Sequence, residues 1–295
     1  MTRQENLQSP RQQLLAALPV KERRLALAGI STAVLEGGKG RPVVLLHGPM
    51  AYAAHWMGVI PGLVQDHTVI VPDLPGHGAS ETGEDALDIA RMLAWLGALI
   101  EQTCPVPPVL VGQLLGGAIG LRFAIERGEL LERLVVIDTF GLVPLEPAPQ
   151  FGQALMQFQA EPSAGTHDSL WRYCAFDFDR LRERMGARWT PFAAYNLERA
   201  RAPATQAAMQ AVMPAFAFAP IGPHELARIK VPTSLVWGRH DLATPLAVAE
   251  AASRRYGWPL HVIENAADDP PIEQPEAMLQ ALRLAIAHND RVPSL

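Results

Sequence analysis

Two glycines four positions apart, Gly112 and Gly116, bracket Gln113-Leu114-Leu115 where a short apolar run from Val109 meets an Ala/Ile/Leu/Phe-rich helical pattern running toward Glu126. The pattern reads as strand, sharp turn and helix. Small residues at the two glycine positions let the backbone bend tightly enough to present the side chain between them at the top of a sheet. The motif with this geometry is G-x-S-x-G, and its serine supplies an attacking oxygen. Here the central residue is Leu114. Leucine has no lone pair to attack a carbonyl and no proton for a base to remove, so acyl transfer through this position is chemically excluded.

The elements that must hold this turn follow from the rest of the chain. With 295 residues, 49% hydrophobic and 19% charged, the chain can bury a full core as one domain carrying an inserted lid. A net charge of -5 without acidic or basic blocks argues against nucleic-acid and membrane-surface partners and favours a small, neutral or modestly polar molecule. Met1 to Pro10 is polar and lacks the apolar segment of a signal peptide, and nowhere do about 18 apolar residues run without charge, so the expected location is cytoplasmic. Cys104 and Cys174 lie too far apart for a disulfide framework or a metal spacing. The composition calls for no cofactor and leaves the oligomeric state open.

Gln12 to Val20 reads as a short helix on the outside of the core. Strands follow at Arg24 to Leu27, Ile30 to Leu35, Val43 to Leu46 and Thr68 to Val71, with a helical segment from Trp56 to Val64. A helix over Ala86 to Glu101 precedes the strand of the turn, and Leu134 to Ile137 is another strand, ending at Asp138. From Leu142 to about Ile229 the strand rhythm stops, and proline, methionine and aromatic residues collect between helical patterns at Ser169 to Arg184 and Ala204 to Met213. Strands resume at Thr233 to Trp237 and Leu260 to Ile263, and a helix spans Pro275 to Ala287. Apolar strands alternating with helices predict an α/β fold with a mostly parallel sheet covered on both faces. The expected division is an N-terminal helical extension at 1–20, core at 21–141 and 230–295, and a helical lid at 142–229.

In order, His47-Gly48, Asp73-Leu74-Pro75-Gly76-His77-Gly78, the Gly112 to Gly116 turn, Gly238-Arg239-His240-Asp241 and Ile272-Glu273-Gln274-Pro275-Glu276 resemble the motifs of the lid-containing α/β-hydrolase family. The resemblance covers about residues 21 to 288. It implies a nucleophile on the turn, an acid after a late strand and a histidine after the last strand. Carried over one residue at a time, the nucleophile position falls on Leu114, the acid on Asp241 and the histidine on Asp268. An aspartate with a pKa of about 3.9 is a poor base at neutral pH. Of the oxyanion donors the resemblance implies, the backbone N–H of Leu115 survives, but the residue after His47-Gly48 is Pro49, which has none, leaving Met50 to substitute.

The same resemblance puts Asp241 and Asp268 within hydrogen-bonding reach of one another beneath an apolar lid. Repulsion and desolvation would then raise one pKa and leave a pair able to act as acid and base. Two other readings stay open. Asp268 could instead cap its loop ahead of Pro270, or Asp241, Asp268 and Asp269 could hold a hard cation, although adjacent residues rarely both reach one ion. No metal is expected. His47 and His77 belong to the fold's own loops and read as braces. Gln113, beside the turn, could hold a ligand carbonyl. Gln113, Leu115, His47, Pro49, Met50, Trp171 and Phe176 are the expected substrate contacts, and the lid's Met and Phe residues suggest a small hydrophobic ligand.

The function expected from these residues is a non-hydrolytic enzyme performing acid/base chemistry on a small hydrophobic molecule, by cyclisation, isomerisation, dehydration or decarboxylation, with Asp241 and Asp268 as the pair. The alternatives are a non-catalytic ligand- or partner-binding protein and a residual esterase.

Overall fold

The computed structural model describes residues 8–287. The readings made on Met1 to Leu7 and on 288–295, including most of the leader region and the tail of the last core segment, lie outside the described residues. Strands β1 (Lys21–Leu27), β2 (Ile30–Gly38), β3 (Arg41–Leu46), β4 (His67–Pro72), β5 (Val109–Gln113), β6 (Arg133–Ile137), β7 (Thr233–Gly238) and β8 (Leu260–Ile263) form one sheet in the order β1-β2-β4-β3-β5-β6-β7-β8. β1 and β2 form an antiparallel hairpin and β2 runs antiparallel to β4; from β4 to β8 every pairing is parallel. The middle strands are buried along their whole length, as continuous apolar runs sandwiched between helices must be.

Helices cover both faces. On one side α3 (Ile89–Thr103), started by Asp88 accepting from the Arg91 N–H at 2.8 Å, and α4 (Leu115–Arg127) seal a core built from Leu46, Leu96, Leu110, Val136 and Trp237. On the other, a 3-10 turn at Ala53–Gly58, the single-turn α2 (Ile60–Leu63) and the C-terminal α13 (Pro275–Ala287) pack on Val43, Val69, Val111 and Ile137. The reading of Trp56 to Val64 as one helix therefore resolves into two short turns, divided at Val59. α11 (Leu246–Tyr256) joins β7 to β8 and stops at Gly257 in the left-handed region at φ 71°. The short α12 (Pro270–Glu273) leads into α13.

Between β6 and β7 the chain leaves the sheet through α5 (Pro149–Ala160), α6 (Ala164–Cys174), α7 (Phe178–Met185), α8 (Trp189–Arg201), α9 (Pro203–Met213), a π-helical turn at Pro214–Phe218 and α10 (Pro223–Leu226). The periodicity over Ser169 to Arg184 belongs to two helices. α6 ends at Cys174, and Asp177 restarts the chain by capping Arg180 at 3.0 Å. This segment carries its own apolar cluster around Trp171, Trp189 and Phe192.

The N-terminal α1 (Pro10–Leu15) is shorter than its leucine stripe suggests, and opens with a capping box between Ser9 and Gln12. Its Arg11 pairs with the fully buried Asp73 at 2.8 Å and donates to the Tyr195 hydroxyl of α8 at 3.3 Å. Asp73 also accepts from the Ala53 and Ala79 N–H groups at 2.6 and 2.8 Å. One carboxylate thus ties together α1, the loop after β3 and the loop after β4.

Candidate active site

β5 delivers its last side chains to the C-terminal edge of the parallel sheet, where ligands bind in folds of this kind. Leu114 follows immediately, with φ 46° and ψ -107°. This backbone is costly for a residue with a Cβ and persists only where the surroundings enforce it. The surroundings are tight: a Cβ on Gly112 would collide with the Gly116 carbonyl, and one on Gly116 with the Leu46 carbonyl. The Leu114 N–H donates to the Ile137 carbonyl at 2.9 Å and its carbonyl accepts from the Phe140 N–H at 3.2 Å. The turn is therefore strained and tightly packed, and it displays an isobutyl group. Leu115 opens α4, so its N–H has no acceptor within the helix.

Around this turn lies a group of buried carboxyls. Asp138 ends β6, Asp241 follows β7, and Asp268, Asp269 and Glu273 belong to the last loop and α12. Asp241 is fully engaged: one oxygen accepts from the Ala243 and Thr244 N–H groups at 2.7 and 2.9 Å, the other from the Thr244 hydroxyl. Burial nevertheless pushes it up to about 7. Asp138 accepts from the Gly238 N–H at 2.8 Å and is raised well above the carboxylate range by burial and by Asp241. Asp268 is raised in the same direction by burial, then by Asp241, Asp269 and Glu273, and its Oδ1 has no hydrogen-bond partner. Asp269 is pushed to about 7 and Glu273 to about 8, both chiefly by burial. Glu273 accepts from the Phe176 N–H at 2.7 Å and from the Ala267 N–H. Gln113 fastens the last loop to the turn, its Nε2 donating to the Asp268 carbonyl at 2.8 Å and to Asp269 Oδ1 at 3.1 Å.

A cavity of about 690 Å³ opens above these groups. Leu114, Gln113, Asp268 and Asp269 line it from the core, and Phe158, Trp171, Met209 and Met213 from the helical segment. Among the expected contacts, Pro49, Met50, Gln113 and Trp171 line the cavity. Leu115 and His47 lie beneath it, and His47 serves the framework: its Nε2 accepts from the Leu74 N–H at 2.9 Å while Nδ1 donates to the Gly48 carbonyl at 2.7 Å. Phe176 stands outside, half exposed and stacked on His240 with ring centroids 4.2 Å apart. Asp241 does not line the cavity either; it acts on Asp268 through charge, and Asp269 is the carboxyl that stands beside Asp268 in the wall. Cys174 lines the cavity, its thiol raised by burial, and Cys104 caps α3 well away from it. Among the described residues no group of three or more His, Cys, Asp or Glu side chains is arranged to hold a metal ion.

Asp138, Glu273, His55, His167 and Asn196 were not among the expected site residues. Asp138 had a readable signal, because a carboxylate at the C-terminal end of a parallel strand sits at the ligand-binding edge. Glu273 lay within the quoted 272–276 motif without a role of its own, and His55, His167 and Asn196 come from segments whose helical patterning says nothing about which residues face the cavity.

The parallel sheet, the strained turn after β5 and the cavity at the strand ends define an α/β-hydrolase fold. The chain belongs to the alpha/beta hydrolase family, whose model matches residues 43–281. It is 26% identical to the pimeloyl-(acyl-carrier protein) methyl ester esterase of Aeromonas hydrophila over 272 residues, 86% of this chain and 98% of that protein. With the 2-hydroxy-6-oxo-6-(2'-aminophenyl)hexa-2,4-dienoic acid hydrolase of Metapseudomonas resinovorans it shares 35% identity over 126 residues, spanning 41% of this chain and only 43% of that protein. A cis-3-alkyl-4-alkyloxetan-2-one decarboxylase of Shewanella oneidensis is 30% identical over 138 residues, 45% of this chain and 43% of its own. The solved 2-hydroxy-6-oxo-6-phenylhexa-2,4-dienoate hydrolase of a Rhodococcus species superposes with a TM-score of 0.78 at 23% identity, over 91% of this chain and 99% of that one. Among the described residues no helix is long and apolar enough to cross a membrane.

Proposed function

We propose that this chain is a non-hydrolytic member of its family, an enzyme that binds a small hydrophobic molecule under a helical lid and performs acid/base chemistry on it. The observation that carries the reading is the pairing, at one cavity wall, of an aliphatic Leu114 on the strained turn with a buried Asp268 whose Oδ1 has no partner. Three of the parts that hydrolysis needs are replaced: the attacking oxygen by Leu114, the imidazole by Asp268, and one oxyanion donor by Pro49. Loss of triad members costs many orders of magnitude in rate. The hydrolase names of several relatives therefore describe chemistry that this chain has no means to start.

Asp268 supplies the proton. Burial and the surrounding carboxyls raise it well above the usual carboxylate range and favour its neutral form, which can donate its O–H to a developing alkoxide or enolate as a general acid. Asp269 stands beside it, and with its pKa near 7 a sizeable fraction is ionised and can accept a proton from carbon or oxygen. Asp241 belongs to the same proton-sharing group and acts through Asp268. Proton transfer of this kind suits cyclisation, isomerisation, dehydration or decarboxylation, and one partial relative carries the name of a decarboxylase.

A second reading is a ligand receptor without turnover, favoured by the complete hydrogen bonding of Asp241. The two part on one measurement. Wild type and Asp268→Asn are purified from the same cells, extracted with organic solvent and compared by mass spectrometry. If the chain is an enzyme, the variant retains a compound that wild type holds in converted form or has released. The same compound at the same occupancy in both would identify a receptor and overturn the catalytic reading.

A further inference from the structure

The cavity has a second polar place, formed by elements other than those carrying the carboxyls. His55 comes from the 3-10 turn after β3, His167 from α6 and Asn196 from α8, and all line the same apolar chamber. Behind them a chain of hydrogen bonds fixes the direction of every proton. The Tyr52 hydroxyl donates to Asn196 Oδ1 at 2.9 Å, Asn196 Nδ2 donates to His167 Nε2 at 3.0 Å, and His167 Nδ1 faces Asp168 Oδ1 at 3.3 Å. His167 therefore carries its proton on Nδ1, toward the carboxylate that Arg182 also pairs at 3.4 Å.

Capacity remains in two places. An amide has two N–H donors and two acceptor lone pairs, so Asn196 keeps one of each unspent. His55 is buried, packed against Tyr52 with ring centroids 4.5 Å apart, and its Nδ1 has no partner. Nδ1 itself is sealed off from the cavity; the residue lines the cavity and its Nε2 makes no hydrogen bond among the described residues, so Nε2 is the nitrogen that a ligand oxygen would meet. Burial, with a smaller contribution from His167, pulls His55 down to about 3, so the ring stays uncharged at neutral pH. Behind His167, Asp168 and Arg182 pair with one another at 3.4 Å. Such a place suits an uncharged oxygen and offers nothing to an anion.

We infer that His55 and Asn196 form a lid-side subsite that hydrogen-bonds a neutral oxygen of the ligand, a ketone or hydroxyl, while the rest of the molecule lies along the apolar wall. The ligand class is thereby narrowed to an uncharged hydrophobic compound with an oxygen remote from the group that meets Asp268. This rests on the proposed occupancy of the cavity by a small hydrophobic molecule, and holds whether or not that molecule is turned over.

The test uses two probes of one skeleton, 2-acetylnaphthalene and 2-ethylnaphthalene, titrated into the full chain with the fluorescence of Trp171 and its neighbours as readout. His55→Phe keeps the ring packing and removes the nitrogens. The expected result is a 5- to 15-fold weaker Kd for the ketone and a change within twofold for the hydrocarbon, the size of one hydrogen bond. Equal changes for both probes, or none for either, would overturn the subsite. Failure of wild type to bind either probe would overturn the occupancy on which it rests. Should the variant fail to fold, so that no Kd can be read for either probe, the side-chain ¹⁵N spectrum of wild type decides: His55 signals that move with the ketone and not with the hydrocarbon support the subsite, and unmoved signals reject it.

Discussion

Leu114 lies across Gly48: its Cδ1 is 3.1 Å from where a Cβ on that glycine would stand. The loop after β3 is where the second oxyanion donor belongs in this fold, so the leucine covers the ground over which a tetrahedral intermediate would form. On the proposed reading, an oxygen restored at position 114 would have the buried Asp268 of the same cavity wall where hydrolysis needs an imidazole. Leu114→Ser is therefore expected to remain inactive on p-nitrophenyl butyrate, with no burst of p-nitrophenolate above buffer. Measurable turnover by that single variant would contradict the placing of Asp268 where the base should be.

The Gln113 side chain fastens the turn to the last loop. Its amide satisfies the Asp268 carbonyl and Asp269 Oδ1 together. Gln113→Met preserves length and removes both donors, leaving buried acceptors unpaired at a cost of about 1–3 kcal/mol. A chain of this size loses roughly 2–4 °C of Tm per kcal/mol, so thermal unfolding is expected about 2–12 °C lower. An unchanged Tm would show that water replaces the amide.

The buried carboxyls and the buried histidines pull stability in opposite directions with pH. Asp241 and Asp269, near 7, and Glu273, near 8, bind protons more tightly folded than unfolded. Their contribution is complete below about pH 4 and is lost as pH rises through those values. His47, His55, His77 and His167 are all lowered by burial. Their contribution is complete above about pH 6.5 and is lost as pH falls. The two oppose each other between about pH 4 and 6.5, and only the carboxyls titrate above that. Calorimetry should show Tm falling by about 5 °C or more from pH 6.5 to pH 9, with a shallower fall in Asp268→Asn. A flat Tm over that window would mean that the carboxyls are hydrated in solution.

The framework of the site could be read from residue types because it is local. The strand-turn-helix at Gly112 to Gly116, the strand ends at Asp138 and Asp241 and the proline-bounded last loop are each written in a few consecutive residues. What could not be read is whatever depends on a side chain's direction. Asp241 and Asp269 are equally acidic in sequence, yet the first is turned into the Ala243–Thr244 backbone and the second into the cavity wall. Phe176 and Trp171 belong to the same aromatic stretch, and the break between α6 and α7 sends one outward and the other in. Neither His55 nor Asn196 carries a local signal, since what matters is the cavity they share, which folding assembles from the 3-10 turn after β3, α6 and α8.

Arg11 is a further instance of long-range dependence, and it yields the largest stability effect expected for a residue outside the cavity. Its guanidinium reaches the fully buried Asp73, whose own oxygens hold the Ala53 and Ala79 N–H groups, and it touches the Tyr195 hydroxyl on α8. The loop that Asp73 holds through Ala53 is the one that carries Pro49 and Met50 into the cavity wall. Removing one partner of a buried pair leaves the other charge without compensation, at a cost of about 3–5 kcal/mol. Arg11→Met, which keeps the packing volume, is expected to lower Tm by roughly 6–20 °C and to raise amide hydrogen exchange in residues 49–58. Double replacement with Asp73→Asn should recover part of the loss, because the stranded charge is then gone; a double variant as unstable as the sum of the singles would show that Arg11 acts by packing and not by pairing with Asp73.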